Sequence, residues 1–139
     1  MKIRNYTEED RDQVVSLWNS VLPGSVDHNN PEIVIDRKTA ADDGLFFVAV
    51  DNDVILGTII AGYDGHRGWL YSVAVNEQFR RQGVGSRLVR HAEAALTKLG
   101  CLKLNLQIRE NNADVTAFYE AIGFDTEKRI SMGKRLPLN

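Results

Sequence analysis

Val73-Ala74-Val75-Asn76-Glu77-Gln78-Phe79-Arg80-Arg81-Gln82-Gly83-Val84-Gly85-Ser86 is the stretch on which the reading turns. It predicts a strand, a short loop carrying two arginines, and glycines that open a helix. The first turn of a helix presents backbone N–H groups without intrahelical partners at the positive end of the dipole. Glycines there let an anion approach the backbone, and arginines add charge. Arg80, Arg81, Arg87 and Arg90 all fall within Arg80–His91, which holds no acid. The pattern points to a site for phosphate or pyrophosphate. The alternative is a glycine-eased turn before a solvated basic helix face. A nucleotide P-loop requires a Gly-Lys-Ser/Thr ending, and no lysine is present. A dinucleotide fingerprint requires a third glycine where Leu88 stands.

Working outward, Lys2–Asn5 predicts a first strand and Thr7 a cap for a helix over Glu8–Leu22. Val14, Leu17, Trp18, Val21 and Leu22 supply its apolar stripe, and Pro23-Gly24 stops it. Asn30 and Pro31 predict a second helix running to about Asp42. Leu45–Val50 and Val54–Ala61 form a hairpin about Asp51-Asn52-Asp53, and Trp69–Val75 is the next strand. A helix over Gly83–Leu99 buries Val84, Leu88, Ala92, Ala95, Leu96 and Leu99, and Gly100 ends it. Leu102, Leu104, Leu106 and Ile108 alternate with polar residues as a strand should. A short helix spans Ala113–Ile122, with Val115, Phe118 and Ile122 as its core stripe. Phe124–Lys128 and Ile130–Leu136 close the chain as strands. The order β-α-α-β-β-β-α-β-α-β-β predicts an α/β (α+β) fold on a mixed sheet, as a single domain over 1–139.

Composition agrees. Hydrophobic residues make up 43% and charged residues 26% of 139, which is globular rather than disordered. A net charge of −2 argues against nucleic acid as a partner. One cysteine excludes an intrachain disulfide framework. No apolar run suits a membrane span and the N-terminus shows no signal peptide, so a cytoplasmic protein is expected. The charge is split: residues 1–64 carry −7 and residues 65–139 carry +5. No acid stands at metal-ligand spacing from His28, His66 or His91, so no metal is expected.

Arg80-x-x-Gly83-x-Gly85 resembles the acyl-CoA signature of the GNAT superfamily of N-acetyltransferases. Asn112…Phe118-Tyr119-Glu120-Ala121-Ile122-Gly123-Phe124 is similar to that family's later Asn…Tyr-Glu-x-x-Gly-Phe segment. Gly62–Gly68, Leu17-Trp18, Asn30-Pro31-Glu32 and Gly133–Leu136 look like small bacterial acetyltransferases of the YpeA type. The resemblance spans essentially the whole chain and implies an acetyl-CoA-dependent N-acetyltransferase working by direct transfer in a ternary complex. It implies that the backbone of Val73, Ala74 and Val75 pairs with the pantetheine arm. Arg80, Arg81, Gln82, Gly83, Val84, Gly85 and Ser86 would cradle the pyrophosphate. Asn112 and Phe118 would border the pantetheine, and Tyr119 would protonate the departing thiolate. A homodimer is compatible with it. The alternative is a CoA-binding sensor or interaction module without catalysis.

The acceptor is expected to be a small-molecule amine or a peptide N-terminus. A lysine-type amine is neutral only about once in 2,500 at pH 7, so a base is useful. Many relatives carry a glutamate where this chain has Gln107, which cannot act as one. His66, with Asp64 beside it, and Glu110 are the candidates. Trp18 and Asp64 are the candidate acceptor-binding residues, although the place of Trp18 on the apolar stripe favours the core.

Overall fold

The computed structural model describes residues 1–22 and 27–137. The expected stop at Pro23-Gly24 therefore lies outside the described residues. The elements are β1 (Lys2–Asn5), α1 (Arg11–Val21), α2 (Pro31–Ala41), β2 (Phe46–Asp51), β3 (Val54–Tyr63), β4 (Gly68–Val75), α3 (Val84–Lys98), β5 (Leu104–Leu106) and α4 (Ala113–Ala121). By internal contacts the chain divides into Met1–Gln107 and Ile108–Asn139. The first unit holds the sheet and α1–α3, and the second holds α4.

The sheet runs β1-β2-β3-β4-β5. The first three pairings are antiparallel and β4–β5 is parallel, which gives the expected mixed sheet. Local chemistry sets much of this. Asn52 and Asp53 take left-handed φ of 48° and 66°. Two such residues match the right-handed twist of a hairpin. The Asn30 side chain accepts from the N–H groups of Glu32 and Ile33, and Pro31 opens α2. Its missing N–H costs nothing at that position. A separate turn, Glu8–Asp10, precedes α1 instead of a continuous helix. There the Asp10 carboxylate accepts from the Thr7 N–H at 2.9 Å. A parallel neighbour for β4 requires a crossover, and α3 supplies it.

Helices cover both faces of the sheet. Val14, Leu17 and Trp18 of α1 and Ile35 of α2 cluster with Phe46, Val48, Ile60 and Ala74. On the other face α3 approaches closely at Gly57. A Cβ there would lie 2.7 Å from the Ala74 carbonyl oxygen and 3.1 Å from side-chain carbons of Val84 and Leu88. Only glycine admits that contact. The buried side of α3 is Val84, Leu88, Val89, Ala92 and Leu96. Leu99 is exposed, because the helix ends at Lys98 and the expected stripe ends with it.

Three expectations fail towards the C-terminus. Leu102 is 97% exposed and β5 covers only Leu104–Leu106. Alternation at Leu102–Ile108 is necessary for a strand, but β4 offers ladder partners for three residues only. Residues 124–128 and 130–136 form no strand, and Ile130, Met132 and Leu136 are exposed. Apolar content without a ladder partner does not make a strand. In α4 the most buried side chain is Tyr119, while Val115, Phe118 and Ile122 are half-buried.

Candidate active site

The strand–loop–helix unit that opened the sequence reading is present, with a feature the sequence did not disclose. Thr58 pairs with Ala74 and Ile60 with Tyr71, so Ser72 and Val73 together oppose Ile59. This is a β-bulge, and Ser72 takes a φ of 50°, uncommon for a residue with a side chain. On its other side β4 pairs with β5 only through Gly68, Trp69 and Leu70. Tyr71–Val75 therefore have no strand partner on that edge among the described residues. Backbone N–H and C=O groups left out of a ladder are ready to pair with an extended ligand.

That open edge leads into a loop that bends through two left-handed residues, Arg81 (φ 65°) and Gly83 (φ 81°). Gly83 is the N-cap of α3 and offers no side chain to cap it, and the first turn holds no acid. The N–H groups of Val84, Gly85 and Ser86 thus face forward at the positive end of a 15-residue helix. Beyond its own chain neighbours, no described residue comes within 4 Å of where a Gly83 Cβ would stand. Arg80, Arg81, Arg87 and Arg90 are exposed, and none makes an ion pair among the described residues. Gln82 is exposed in the same loop.

In the second unit, Asn112 caps α4 by accepting from the Val115 N–H at 3.2 Å. Phe118 meets the Tyr119 ring edge-on at 4.9 Å, and Phe124 meets it at 5.4 Å. Burial of the Tyr119 ring pushes its phenol up to about 12. Its hydroxyl makes no hydrogen bond among the described residues. Tyr119 is thus a phenol that keeps its proton and has not committed it to the fold. Glu110 is exposed in the turn before α4.

The candidate acceptor residues read differently in three dimensions. Both the His66 and Arg67 backbone N–H groups donate to Asp64 Oδ1, at 2.8 and 2.7 Å. The Arg67 N–H, then that of His66, holds the Asp64 carboxyl below its ordinary range. This carboxylate closes the β3–β4 turn and does not orient the imidazole. The turn also sits at the wrong end of β4. Gly68 and Ser72 are separated by four residues of strand, roughly 13 Å. His66 lies beyond Gly68, so it is not brought to the bulge. Trp18 is 3% exposed and stacks on Phe46, so it does not wall a cleft. Thr58 and Ser72 were missed. The one available signal was a lone hydroxyl inside the apolar run Val54–Ala61.

A model described as the acetyltransferase (GNAT) family matches residues 11–124. The chain belongs to the GNAT family. An acetyltransferase of Yersinia pestis (strain Pestoides F) is 38% identical over 139 residues, 98% of this chain and 96% of that protein. Ard1 from Thermoplasma volcanium superposes with a TM-score of 0.77 at 24% identity, over 89% of this chain and 82% of that one. The aminoglycoside N-acetyltransferase AAC(6')-Iy, solved in complex with CoA, gives a TM-score of 0.79 at 19% identity, over 96% and 93%. These GNAT neighbours share the mixed sheet. Membership makes acetyl transfer the general chemistry of this chain.

Proposed function

We propose that the protein moves the acetyl group of acetyl-CoA to a primary amine by direct attack in a ternary complex. One observation carries the reading. A strand edge without a ladder partner, Tyr71–Val75, runs straight into an uncapped helix start flanked by arginines without carboxylate partners. An extended amide-bearing arm that ends in a pyrophosphate needs those two features in that order. The backbone of Val73, Ala74 and Val75 would pair with the pantetheine. The N–H groups at Val84–Ser86 and the side chains of Arg80 and Arg81 would receive the pyrophosphate.

In the reaction the amine nitrogen forms a bond to the thioester carbon and the C–S bond breaks. The new amide nitrogen loses a proton to the base, and the thiolate leaves hydrogen-bonded and then takes up a proton from water. Tyr119 is assigned to the thiolate, on its family segment and its retained proton. Full transfer from a phenol at about 12 to an ordinary thiolate, near 8.5, is uphill by about 5 kcal/mol. Its part is therefore to donate a hydrogen bond as sulfur charge develops. Asn112 and Phe118 are assigned to the pantetheine on the same segment. Gln107 cannot take the amine proton, Asp64 is spent on its turn, and His66 is far along β4. Glu110, directly or through water, is the remaining assignment. The acceptor is a small-molecule amine or a peptide N-terminus.

The test is turnover of acetyl-CoA over a panel of amines, with Tyr119→Phe beside the native protein. The variant is expected to keep its affinity for acetyl-CoA and to lose about 10²-fold in the chemical step. A loss below threefold would make Tyr119 structural. Tight binding of CoA with no turnover on any amine would assign a CoA-binding module instead.

A further inference from the structure

The bulge in β4 is tied down from inside the protein. Thr58 is wholly buried, and its hydroxyl donates to the Ser72 carbonyl oxygen at 2.9 Å. The same hydroxyl accepts from the Trp18 indole N–H at 2.8 Å. One hydroxyl thus spends its proton and a lone pair on two fixed partners. The indole is itself held by rings. Trp18 stacks on Phe46 with centroids 5.8 Å apart, and Phe46 stacks on Tyr6 at 4.4 Å. The direction of the N–H is set by that stack.

Ser72 is where the backbone leaves ordinary strand geometry. A residue with a side chain at φ 50° persists only where its surroundings hold it. The Ser72 carbonyl has been turned into the protein, towards Thr58. The bulge changes which backbone groups of β4 face its open edge, because one extra residue reverses the alternation. A bulge free to slip back would present Val73–Val75 in the other register.

We propose that Thr58 and Trp18 are positioning residues: their buried hydrogen-bond relay locks the Ser72 bulge and so fixes the register in which β4 meets acetyl-CoA. The inference rests on β4 being the acetyl-CoA edge. The relay touches no substrate and acts only through the Ser72 carbonyl.

The test compares Thr58→Val, which removes the hydroxyl at nearly constant shape, with Thr58→Ser, which restores it. Ile35→Val serves as a buried control that leaves both hydrogen bonds intact. Thr58→Val is expected to raise the acetyl-CoA Kd at least tenfold and to speed amide hydrogen exchange over residues 72–74. Thr58→Ser should recover both to within threefold of native. Ile35→Val should lower the unfolding midpoint without changing either. If Thr58→Val does not fold, Trp18→Phe removes the indole donor and should raise the same Kd at least threefold. Native Kd and native exchange in Thr58→Val, or in Trp18→Phe where Thr58→Val does not fold, overturn the proposal. Equal losses in the control and Thr58→Val overturn it too. Failure of the native protein to bind acetyl-CoA would sink the functional reading instead, while exchange over 72–74 would still decide whether the relay holds the bulge.

Discussion

Arg4 and Arg11 lie on either side of the first turn, and carboxylates occupy both guanidinium groups. Arg4 forms a two-bonded pair with Asp10, at 2.8 and 2.9 Å. Arg11 meets Glu8, then Glu32 at 2.6 Å and Asp36 at 2.7 Å, which ties α1 to α2. Arg80, Arg81, Arg87 and Arg90 have the same side chain and no carboxylate among the described residues. The first group is spent on the fold, and the second has no such pairing among the described residues. Composition alone assigns the two halves opposite net charge. The pairing shows that much of the acidic half is already answered internally, by Arg4, Arg11 and Lys38.

The largest expected effect breaks the first group. Arg4→Ala leaves the buried Asp10 carboxylate with only Thr7 as partner. Because Arg4 keeps a third of its side chain exposed, the loss is about 2 kcal/mol, below the range for a fully buried pair. The unfolding midpoint should fall by roughly 6–10 °C, with acetyl-CoA affinity unchanged. A loss of affinity in this variant would erase the contrast between the two groups.

Arg80→Ala combined with Arg81→Ala is the converse experiment. The acetyl-CoA Kd should rise at least tenfold, about 1.4 kcal/mol, while the midpoint moves by less than about 2 °C. Raising salt should weaken native binding and have less effect on the double variant, since exposed charges are screened. A midpoint drop as large as that of Arg4→Ala would show hidden structural work in this loop.

The smallest effect sharpens the comparison through pH. Burial pushes the Asp10 carboxyl up, but Arg4 and Thr7 outweigh it and hold it below its ordinary value. A carboxyl lowered in the folded state stabilises fully above its unfolded value, near 3.9. That contribution is lost as pH falls through the depressed value. The stability gap between native protein and Arg4→Ala should therefore narrow as pH drops below about 4 in a series of denaturant titrations. A gap of constant size down to pH 2 would mean that Arg4 works through packing alone.

The candidate site divides along the same line between local and distant causes. The strand, the arginine loop and the uncapped helix start at Val73–Ser86 were legible because each depends on neighbours in sequence. Glycine tolerates the left-handed cap, and a missing cap side chain needs no tertiary partner. The Asn30 cap and the Asn52-Asp53 turn belong to the same class. The Asp64–His66 arrangement was not legible, because two residues of separation said nothing about which atoms of Asp64 meet which atoms of the turn. The backbone N–H groups were nearer than the imidazole.

What the sequence determined by itself is the element order as far as α4, the basic loop and the family segments, all carried by short-range periodicity and backbone preference. Tertiary structure alone decided which of those pieces are paired. It put a bulge at Ser72, whose carbonyl accepts from Thr58, 14 residues away, while Thr58 accepts from Trp18, 40 residues from it. It cut β5 to three residues, because a ladder needs a partner and β4 supplied no more. It buried the Tyr119 ring while leaving its hydroxyl uncommitted. Hydrogen bonds and burial across such separations depend on where the whole chain places each group, and no local pattern encodes that position.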